Sequence, residues 1–287
     1  MLELGAHMSV AGGHERAIDR ALACEMTACQ IFTKNANQWN AKPILPEAAQ
    51  RFRERWAESG MKALVAHDSY LINIATTDDA LWEKSRLAFR EELDRCDLLG
   101  VPYLVTHPGA HKDAGVETGV ARVVEAIDRI HDERPQGEAV ILIETTAGQG
   151  TTLGRTFEEI AAIVGGVADQ RRIGVCLDTC HVFAAGYELR DEASYAATMT
   201  AFDQVVGLTR LKALHLNDSK KGLGSHVDRH THIGEGELGL EPFRLLLNDA
   251  RLAGLPGILE TPKGDDDADD KRNLATLRGL IGAAAAV

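Results

Sequence analysis

The sequence has few cysteines, no long apolar run and fewer basic than acidic residues. Only five of its 287 residues are cysteine, and this odd, sparse set argues against a disulfide scaffold and for a reducing compartment. No apolar run approaches the roughly 18 residues of a transmembrane helix, and the first residues lack the basic and apolar regions of a signal peptide. We therefore expect a cytoplasmic protein without a membrane partner.

The charge balance is acidic, with 31 Lys and Arg against 43 Asp and Glu and a formal net charge of −12. Taken alone, this charge argues against a polyanionic partner such as nucleic acid or an acidic membrane. Salt screens charges that are more than roughly 10 Å apart. A local cluster of basic residues therefore matters more than the net charge.

Eight β-favouring runs alternate with helical patterns along the chain, and no Pro/Ser-rich linker divides them. This alternation, in a chain slightly longer than the roughly 250 residues typical of the fold, predicts an α/β protein of the (β/α)8 TIM barrel type. We expect a single domain over residues 1–287. A doubly wound open sheet is the alternative, although it concentrates its chemistry at one switch point. The predicted strands are Leu2–Ser9, Cys29–Lys34, Leu64–Ser69, Tyr103–Pro108, Ala139–Thr145, Ile173–Asp178, Leu211–Asn217 and Gly257–Thr261.

The clearest predicted helix begins after Thr77 and carries Asp78 and Asp79 in its first turn. It ends at Gly100, which is a typical residue just past the last turn of a helix.

Seven of the eight predicted strands end in a histidine or a carboxylate. Apolar residues precede these groups, so their burial would be costly unless they are paired or bound to metal. In a barrel the strand ends meet at one mouth. A single histidine of this kind is more often a hydrogen-bonded structural residue, but the repetition favours a site. The strand-end residues are His7, Thr33 with Lys34, His67, His107, Glu144, Asp178, His215 and Glu260.

Two further pairs extend this set. Asp178 and His181 reach one site only if the chain turns after Asp178, as a βα loop would make it do. The spacing of two between Asp228 and His230 puts both on one side of an extended segment, which suits chelation of one ion. A solvated polar loop is the alternative for this second pair.

The candidate ligands combine imidazole and carboxylate groups, which favours zinc or another late divalent metal over magnesium or calcium. Nine groups are too many for one tetrahedral ion and suit two or three ions with open positions for water or substrate. These ligands are His67, His107, Glu144, Asp178, His181, His215, Asp228, His230 and Glu260.

Other motifs predict no site. Gly234–Gly239 matches GxGxxG, but no strand is expected before it and its two glutamates would repel a pyrophosphate, so no nucleotide cofactor is expected. Cys176 and Cys180 lack a second cysteine pair and are expected to be core thiols. The acidic run Asp265–Asp270 lacks the features of an EF-hand loop and is expected to be a solvated loop and helix start. Five more histidines are expected at the surface or behind the ligands: His14, His111, His131, His226 and His232.

The strand-end motifs resemble those of the endonuclease IV family of apurinic/apyrimidinic (AP) DNA repair endonucleases, nearly from end to end. In chain order the motifs are Gly5–Ser9, Phe32–Asn35, His67–Asn73, His107–Gly109, Glu144–Gly150, Val175–His181 and the segment from His215 to His230.

The resemblance implies three zinc ions. It assigns His67, His107 and Glu144 to the first ion, Glu144, Asp178, His215 and Glu260 to the second, and His181, Asp228 and His230 to the third. The implied reaction is hydrolysis of the phosphodiester 5′ to an abasic site by a zinc-bound hydroxide, giving a 3′-hydroxyl and a 5′-deoxyribose phosphate. Glu144 is the implied catalytic residue. The same site would act as a 3′-phosphodiesterase on blocked ends, and we expect a monomer acting on double-stranded DNA.

Loops after the strands are expected to contact this DNA. Tyr70 and Leu71 are an aromatic-apolar pair that suits a wedge into the base stack, although they would also serve simply to cover the barrel rim. Members of the family often have Arg where this chain has Asn37, so weaker or differently balanced DNA binding is expected. Thr145, where Asn is common, is a smaller departure. The predicted DNA-binding residues are Lys34, Asn35, Asn37, Gln38, Trp39, Tyr70, Leu71, Lys220, Lys221 and Arg229.

Two other functions stay open at this point. A divalent-metal sugar isomerase or epimerase on the same barrel would use one or two ions and would not need the third ligand group. A non-catalytic protein that binds abasic DNA would leave the strand intact. Three zinc ions would halve the net charge of −12, and the Asp265–Asp270 run carries five of the negative charges. The acidic composition is thus a poor guide to the field at the mouth.

Overall fold

The computed structural model describes residues 1–264 and 266–282. Eight parallel strands form a closed barrel, in which each strand pairs with the next one along the chain and the last pairs with the first. Closure confirms the predicted TIM barrel and rules out the open doubly wound sheet. The barrel strands are β1 Glu3–His7, β2 Ala28–Phe32, β3 Ala63–His67, β4 Tyr103–Thr106, β5 Val140–Glu144, β6 Ile173–Asp178, β7 Leu211–His215 and β10 Pro256–Leu259.

Helices surround the barrel and connect its strands. Among the residues that the structure describes, no helix is both long enough and apolar enough to cross a membrane. The helices are α1 Glu15–Ala23, α2 Pro46–Ser59, α3 Asp79–Leu99, α4 Val116–Glu133, α5 Phe157–Gly166, α6 Thr179–Ala185, α7 Glu192–Val205, α8 Glu241–Asn248 and α9 Ala268–Gly279, with short 3-10 turns at Leu208–Arg210 and Ala250–Leu252.

The helix α3 has the ends that the sequence predicts. The Asp78 carboxylate accepts a hydrogen bond from the main-chain N–H of Leu81 and so satisfies one of the free donors of the first turn. Gly100 ends the helix with φ of 73°, a left-handed conformation that glycine adopts without a Cβ clash.

Small and branched side chains fill the barrel interior. Consecutive strands β3 to β7 each contribute one fully buried residue to a cluster separate from the main core. These residues are Val65, Val105, Leu142, Cys176 and Ala213. The larger apolar core lies between the strands and the surrounding helices, and the polar strand ends lie above the interior cluster at the mouth.

A short hairpin follows β7 and carries part of the mouth. Its strands are β8 Asp218–Ser219 and β9 His230–Thr231, which pair antiparallel. The expectation that no strand precedes Gly234–Gly239 is therefore wrong in detail, because β9 comes just before that segment. Because β9 belongs to a hairpin and not to a βα unit, the segment still lacks the structural context of a dinucleotide-binding motif.

The glycines of Gly234–Gly239 let the main chain approach the Asp218 carboxylate closely. The Asp218 carboxylate accepts hydrogen bonds from the main-chain N–H groups of Gly234, Gly236 and Leu238, each at 3.0 Å. A Cβ on Gly236 would lie 2.4 Å from Asp218 Oδ1. Glycine is thus required where the loop wraps around a buried carboxylate.

Two expectations about polar residues are wrong. His131 lies on the inner face of α4 and is 7 % exposed, away from both the surface and the strand ends. In the acidic run, Asp270 is 1 % exposed and pairs with Lys263. Asp269 and Asp270 do lie in the first turn of α9, as expected, whereas Asp265 lies outside the described residues.

Candidate metal centre

The carboxyl ends of the strands bring the predicted ligands together. Within each of several groups, the ligand atoms all lie within 4.8 Å of one another. The groups are His67, His107 and Glu144; Glu144, Asp178, His215 and Glu260; Asp178, His181 and His230; and Cys180, Asp228 and His230. The first two coincide with the first two ligand sets that the resemblance implies.

Glu144 lies at the centre of the cluster and is fully buried. Its Oε2 is 3.1 Å from His67 Nε2 and 3.2 Å from His107 Nε2. Its Oε1 is 2.9 Å from His215 Nδ1. The two oxygens of one carboxylate therefore face two different groups, which is the arrangement that a bridging ligand needs.

The third predicted set gathers around Asp228. Its Oδ2 is 3.2 Å from His181 Nε2, and its Oδ1 is 3.4 Å from His230 Nε2. The structure adds Asp178, whose Oδ2 is 3.6 Å from the same His230 nitrogen. Asp178 thus lies between the second and third groups.

Cys180 also lies beside the third group, 3.7 Å from the carbonyl oxygen of Arg229. Burial raises the pKa of the Cys180 thiol to about 12, so the thiol keeps its proton. All five cysteines are buried and unpaired, as expected of core thiols.

The turn between Asp178 and His181 is built by the end of β6 itself. Asp178 is the N-cap of α6, and its Oδ1 accepts a hydrogen bond of 2.8 Å from the main-chain N–H of His181. Its Oδ2 accepts a second bond, 2.7 Å long, from the Asn217 amide. Immediate helix formation after the strand brings both side chains to one site.

Four of the five candidate histidines are oriented in the same way. One ring nitrogen faces the carboxylates, and the other lies close to a carbonyl oxygen, the usual arrangement behind metal-binding histidines. For His67, His181 and His230 this oxygen belongs to the main chain of Asp68, Thr145 and Glu260, at 3.0, 2.8 and 3.3 Å. For His215 it belongs to the side chain of Gln30, at 2.9 Å.

The buried carboxylates of the cluster need positive charge close to them. Burial disfavours the charged form of Glu144, but the surrounding histidines, His215 foremost, hold its pKa well below its usual range. Burial likewise opposes charge on His67, and the hydrogen bond and charge of Glu144 outweigh it and raise the pKa of His67 to about 9. Buried carboxylates at this density need compensating cations.

The donor set fits metal ions as those cations. The Nε2 atoms of His181 and His230 are buried without a hydrogen-bond partner and face the Asp228 carboxylate. Unpartnered imidazole nitrogens that converge with carboxylate oxygens are the donors that zinc takes.

The predicted wedge lies at the rim of the mouth. Tyr70 is 64 % exposed, and its ring meets Phe32 edge to face with centroids 5.5 Å apart. Leu71 follows it and is half-buried. The Ser69 hydroxyl donates to the carbonyl of Ala36 at 2.5 Å and so ties this loop to the loop after β2.

Lys34, which the sequence predicts to contact DNA, is buried in the structure. It is 5 % exposed. Its ammonium donates to the carbonyl of Trp39 at 3.0 Å and lies 3.8 Å from Glu92 Oε1. This amine therefore organises the loop from within, and its contact with DNA stays a prediction.

The other predicted DNA residues lie on the loops as expected. Asn35, Asn37 and Gln38 are exposed, and Trp39 is half-buried beneath the Lys84 ammonium, which lies 4.1 Å from its ring centroid. The hairpin holds the remaining three cations, all exposed: Lys220, Lys221 and Arg229.

Sequence reasoning missed the residues behind the ligands. Asn217 donates to Asp178 and accepts, at 2.8 Å, from the main-chain N–H of Glu260. Gln30 is fully buried and contacts both His215 and Glu260. A polar residue in the apolar run of β2 was the available signal for Gln30, because such a residue needs buried partners.

Comparison with known proteins first defines the class. Residues 18–280 match the family model described as "Xylose isomerase-like TIM barrel". The fold is shared with a structure of D-psicose 3-epimerase in the presence of D-fructose, at a TM-score of 0.71 and 16 % identity over 98 % of this chain and 100 % of that one. Identity this low shows the fold alone. The protein is thus a xylose isomerase-like TIM barrel with a candidate metal centre at its mouth.

Closer relatives define the family. "Probable endonuclease 4" of Chloroflexus aurantiacus is 53 % identical over 281 residues, which cover 98 % of this chain and 99 % of that protein. The crystal structure of endonuclease IV from Thermus thermophilus matches with a TM-score of 0.86 and 38 % identity, over 97 % of this chain and 98 % of that one. The chain belongs to the endonuclease IV family, and the resemblance seen in the sequence is confirmed.

Proposed function

We propose that this protein is a DNA repair endonuclease that hydrolyses the phosphodiester 5′ to abasic sites and uses three zinc ions. The products would be a 3′-hydroxyl and a 5′-deoxyribose phosphate. The same site would remove blocking groups from 3′ ends. The observation that carries the proposal is the convergence of the nine candidate ligands at the mouth of the barrel in a chain of the endonuclease IV family.

The distances between the candidate ligands support the roles that we assign to them. His67 and His107 would hold one ion with Glu144, and His215 and Glu260 would hold a second with Glu144 and Asp178. His181, Asp228 and His230 would hold the third. Zinc bound at these positions would lower the pKa of water to about 7 and stabilise charge on the phosphate in the transition state.

Glu144 is the residue that we assign to the reaction itself. It is fully buried, and its two oxygens face separate ligand groups. A carboxylate held in this way accepts a hydrogen bond from an attacking water and fixes its direction toward the phosphorus. No serine or cysteine nucleophile is required.

The rim loops supply the DNA contacts in this proposal. Tyr70 is exposed beside the mouth, where its ring would enter the base stack opposite the lesion. The exposed cations Lys220, Lys221 and Arg229 would contact phosphates. Asn37 places an amide where the family often has an arginine, so we expect a weaker contact there.

The third ligand group argues against a sugar isomerase or epimerase. Such an enzyme would use the strand-end carboxylates with one or two ions. Asp228, His181 and His230 would then have no role, although the Nε2 atoms of both histidines lie within 3.4 Å of an Asp228 carboxylate oxygen.

The decisive experiment incubates the zinc-loaded protein with a duplex that contains one tetrahydrofuran residue. We expect a single cut on the 5′ side of that residue. The Glu144→Gln variant should fold and bind the duplex, yet its incision rate should fall by at least about 100-fold, because positioned acid–base groups contribute about 10²- to 10⁴-fold.

The undamaged duplex of the same sequence is the control substrate. An intact abasic strand with fully metallated wild-type protein would overturn the proposal and favour a binding protein. Near-normal incision by the Glu144→Gln variant would remove Glu144 from the reaction.

A further inference from the structure

Gln30 lies in the middle of β2 and is fully buried. It pairs with His7 of β1 in the sheet register. Its main-chain carbonyl also accepts a hydrogen bond of 2.7 Å from the N–H of Met8. The side chain therefore starts from a rigid strand, which is the kind of support that a precisely held site requires.

The Gln30 amide has three hydrogen-bonding partners at the mouth. Its Nε2 lies 2.6 Å from Glu260 Oε1 and 3.0 Å from His7 Nδ1. Its Oε1 lies 2.9 Å from His215 Nε2. One side chain thus joins two candidate ligands of the second group, Glu260 and His215.

The chemistry of the partners determines which way the amide faces. An ionised carboxylate only accepts hydrogen bonds, so the atom beside Glu260 is the NH₂ group. The amide oxygen must then face His215, whose Nε2 carries the proton. The second N–H of the amide is left for His7 Nδ1, so both N–H donors have a partner and the oxygen accepts one hydrogen bond.

This orientation leaves the other His215 nitrogen free for the centre. Nδ1 lies 2.9 Å from Glu144 Oε1 and 3.1 Å from Glu260 Oε2. The three other oriented histidines obtain the same result from main-chain carbonyls, which no substitution removes. His215 depends on a side chain.

Glu260 is oriented by the same amide. Its Oε1 is engaged by Gln30, so Oε2 is the oxygen that faces His215 Nδ1. Its main-chain N–H donates to Asn217. Two fixed points hold the carboxylate in one direction.

We infer that Gln30 is a positioning residue for the second metal ion, setting the proton position of His215 and the ligand oxygen of Glu260. The inference rests on the proposed function, because it concerns zinc at the candidate centre. Partners of this kind behind metal ligands contribute roughly 10- to 100-fold to metal affinity.

The test measures zinc binding directly. Wild-type protein and a Gln30→Leu variant, which has similar volume and no hydrogen-bonding groups, are titrated with zinc against a chromophoric chelator. We expect three zinc ions per wild-type chain and, in the variant, one ion bound about 10- to 100-fold more weakly. Incision by the variant should recover when free zinc is raised by the same factor, which a general folding defect would not allow.

Gln50→Leu is the matched control, since Gln50 is exposed on α2 and bonds only Glu54 and Arg53 among the side-chain contacts described. Unchanged zinc affinity in Gln30→Leu beside three ions in the wild type would overturn the role of Gln30 alone. A wild type that binds no zinc would instead overturn the proposed function.

A second measurement needs no variant at Gln30. Long-range ¹H–¹⁵N spectra of histidine-labelled, zinc-loaded wild-type protein distinguish a proton on Nε2 from one on Nδ1, and a His215→Gln sample assigns the signal. We expect His215 to carry its proton on Nε2. A proton on Nδ1 would contradict the inference, even if the Gln30→Leu variant failed to fold.

Discussion

The buried polar side chains of this protein differ in how many of their polar atoms have hydrogen-bond partners. The candidate ligands and Gln30 lie in a dense hydrogen-bonded cluster at the mouth. His131 on α4 is the contrasting case, because both of its ring nitrogens are buried without a hydrogen-bond partner. A polar group in this state lowers stability, and it does so more when it is charged.

The protonation of His131 is expected to make folding sensitive to pH. Burial, with the nearby charge of Arg172, lowers the pKa of His131 from 6.5 to about 4. Between these values the unfolded chain binds a proton that the folded chain does not, so stability falls as pH drops from 6.5 toward 4. Replacing His131 with Leu should reduce the loss of unfolding free energy between pH 7 and pH 5 by about 1–2 kcal/mol.

Urea denaturation of both proteins at the two pH values measures this difference. All other residues are identical in the two proteins, so their contributions cancel in the comparison. His111→Leu is the control, because His111 is half-buried on the loop before α4. Equal losses in the wild type and His131→Leu would contradict the prediction.

At the scale of secondary structure, the hairpin and its following loop depend on Asp218. This residue is fully buried, and its carboxylate accepts four main-chain hydrogen bonds, from residues 219, 234, 236 and 238. The loop closed in this way carries Asp228 and His230. The Asp218 carboxylate therefore holds two candidate ligands without contacting them.

Replacing Asp218 with Ala should leave these N–H groups without partners. We expect the free energy of unfolding to fall by about 2–4 kcal/mol, since each unsatisfied buried donor costs about 1–3 kcal/mol and water will reach some of them. Thermal denaturation of the zinc-loaded protein measures the effect. Asp132→Ala on the exposed face of α4 is the control, and equal melting temperatures for the two variants would refute the role of Asp218.

At the scale of the whole molecule, the net charge is negative, whereas the hairpin after β7 exposes positively charged side chains. The chain carries −12, whereas the exposed residues Lys220, Lys221 and Arg229 place three cations on one hairpin beside the mouth. Lys34 does not add to them, because its charge is buried against Glu92. Because only these few cations are available to contact phosphates, we expect the affinity for undamaged DNA to be modest and sensitive to salt.

The salt dependence of binding to undamaged DNA tests this distribution. Each phosphate contact contributes about 0.9 to the slope of log K against log salt. A Lys220→Gln, Lys221→Gln double variant should therefore reduce the slope by about 2 in fluorescence anisotropy titrations. Lys62→Gln with Lys212→Gln at the opposite end of the barrel is the control and should leave the slope unchanged. Equal slopes in both double variants would place the DNA elsewhere.

The sequence by itself determined the barrel and the main ligand types. These predictions used local features, which can be recognised in short stretches of sequence. The features are strand periodicity, the caps of α3 and the repeated histidine or carboxylate at strand ends. Parallel strands in a barrel then place their carboxyl ends at one mouth without further information.

Only the tertiary structure decided how these side chains are held. Gln30 is separated from Glu260 by 230 residues and from His215 by 185, and no pattern along the chain relates them. The burial of Lys34 and of His131 likewise depends on elements that approach from elsewhere in the chain. Closure of the barrel, which brings β2 beside β1 and β1 beside β10, turns separate polar residues into one hydrogen-bonded centre.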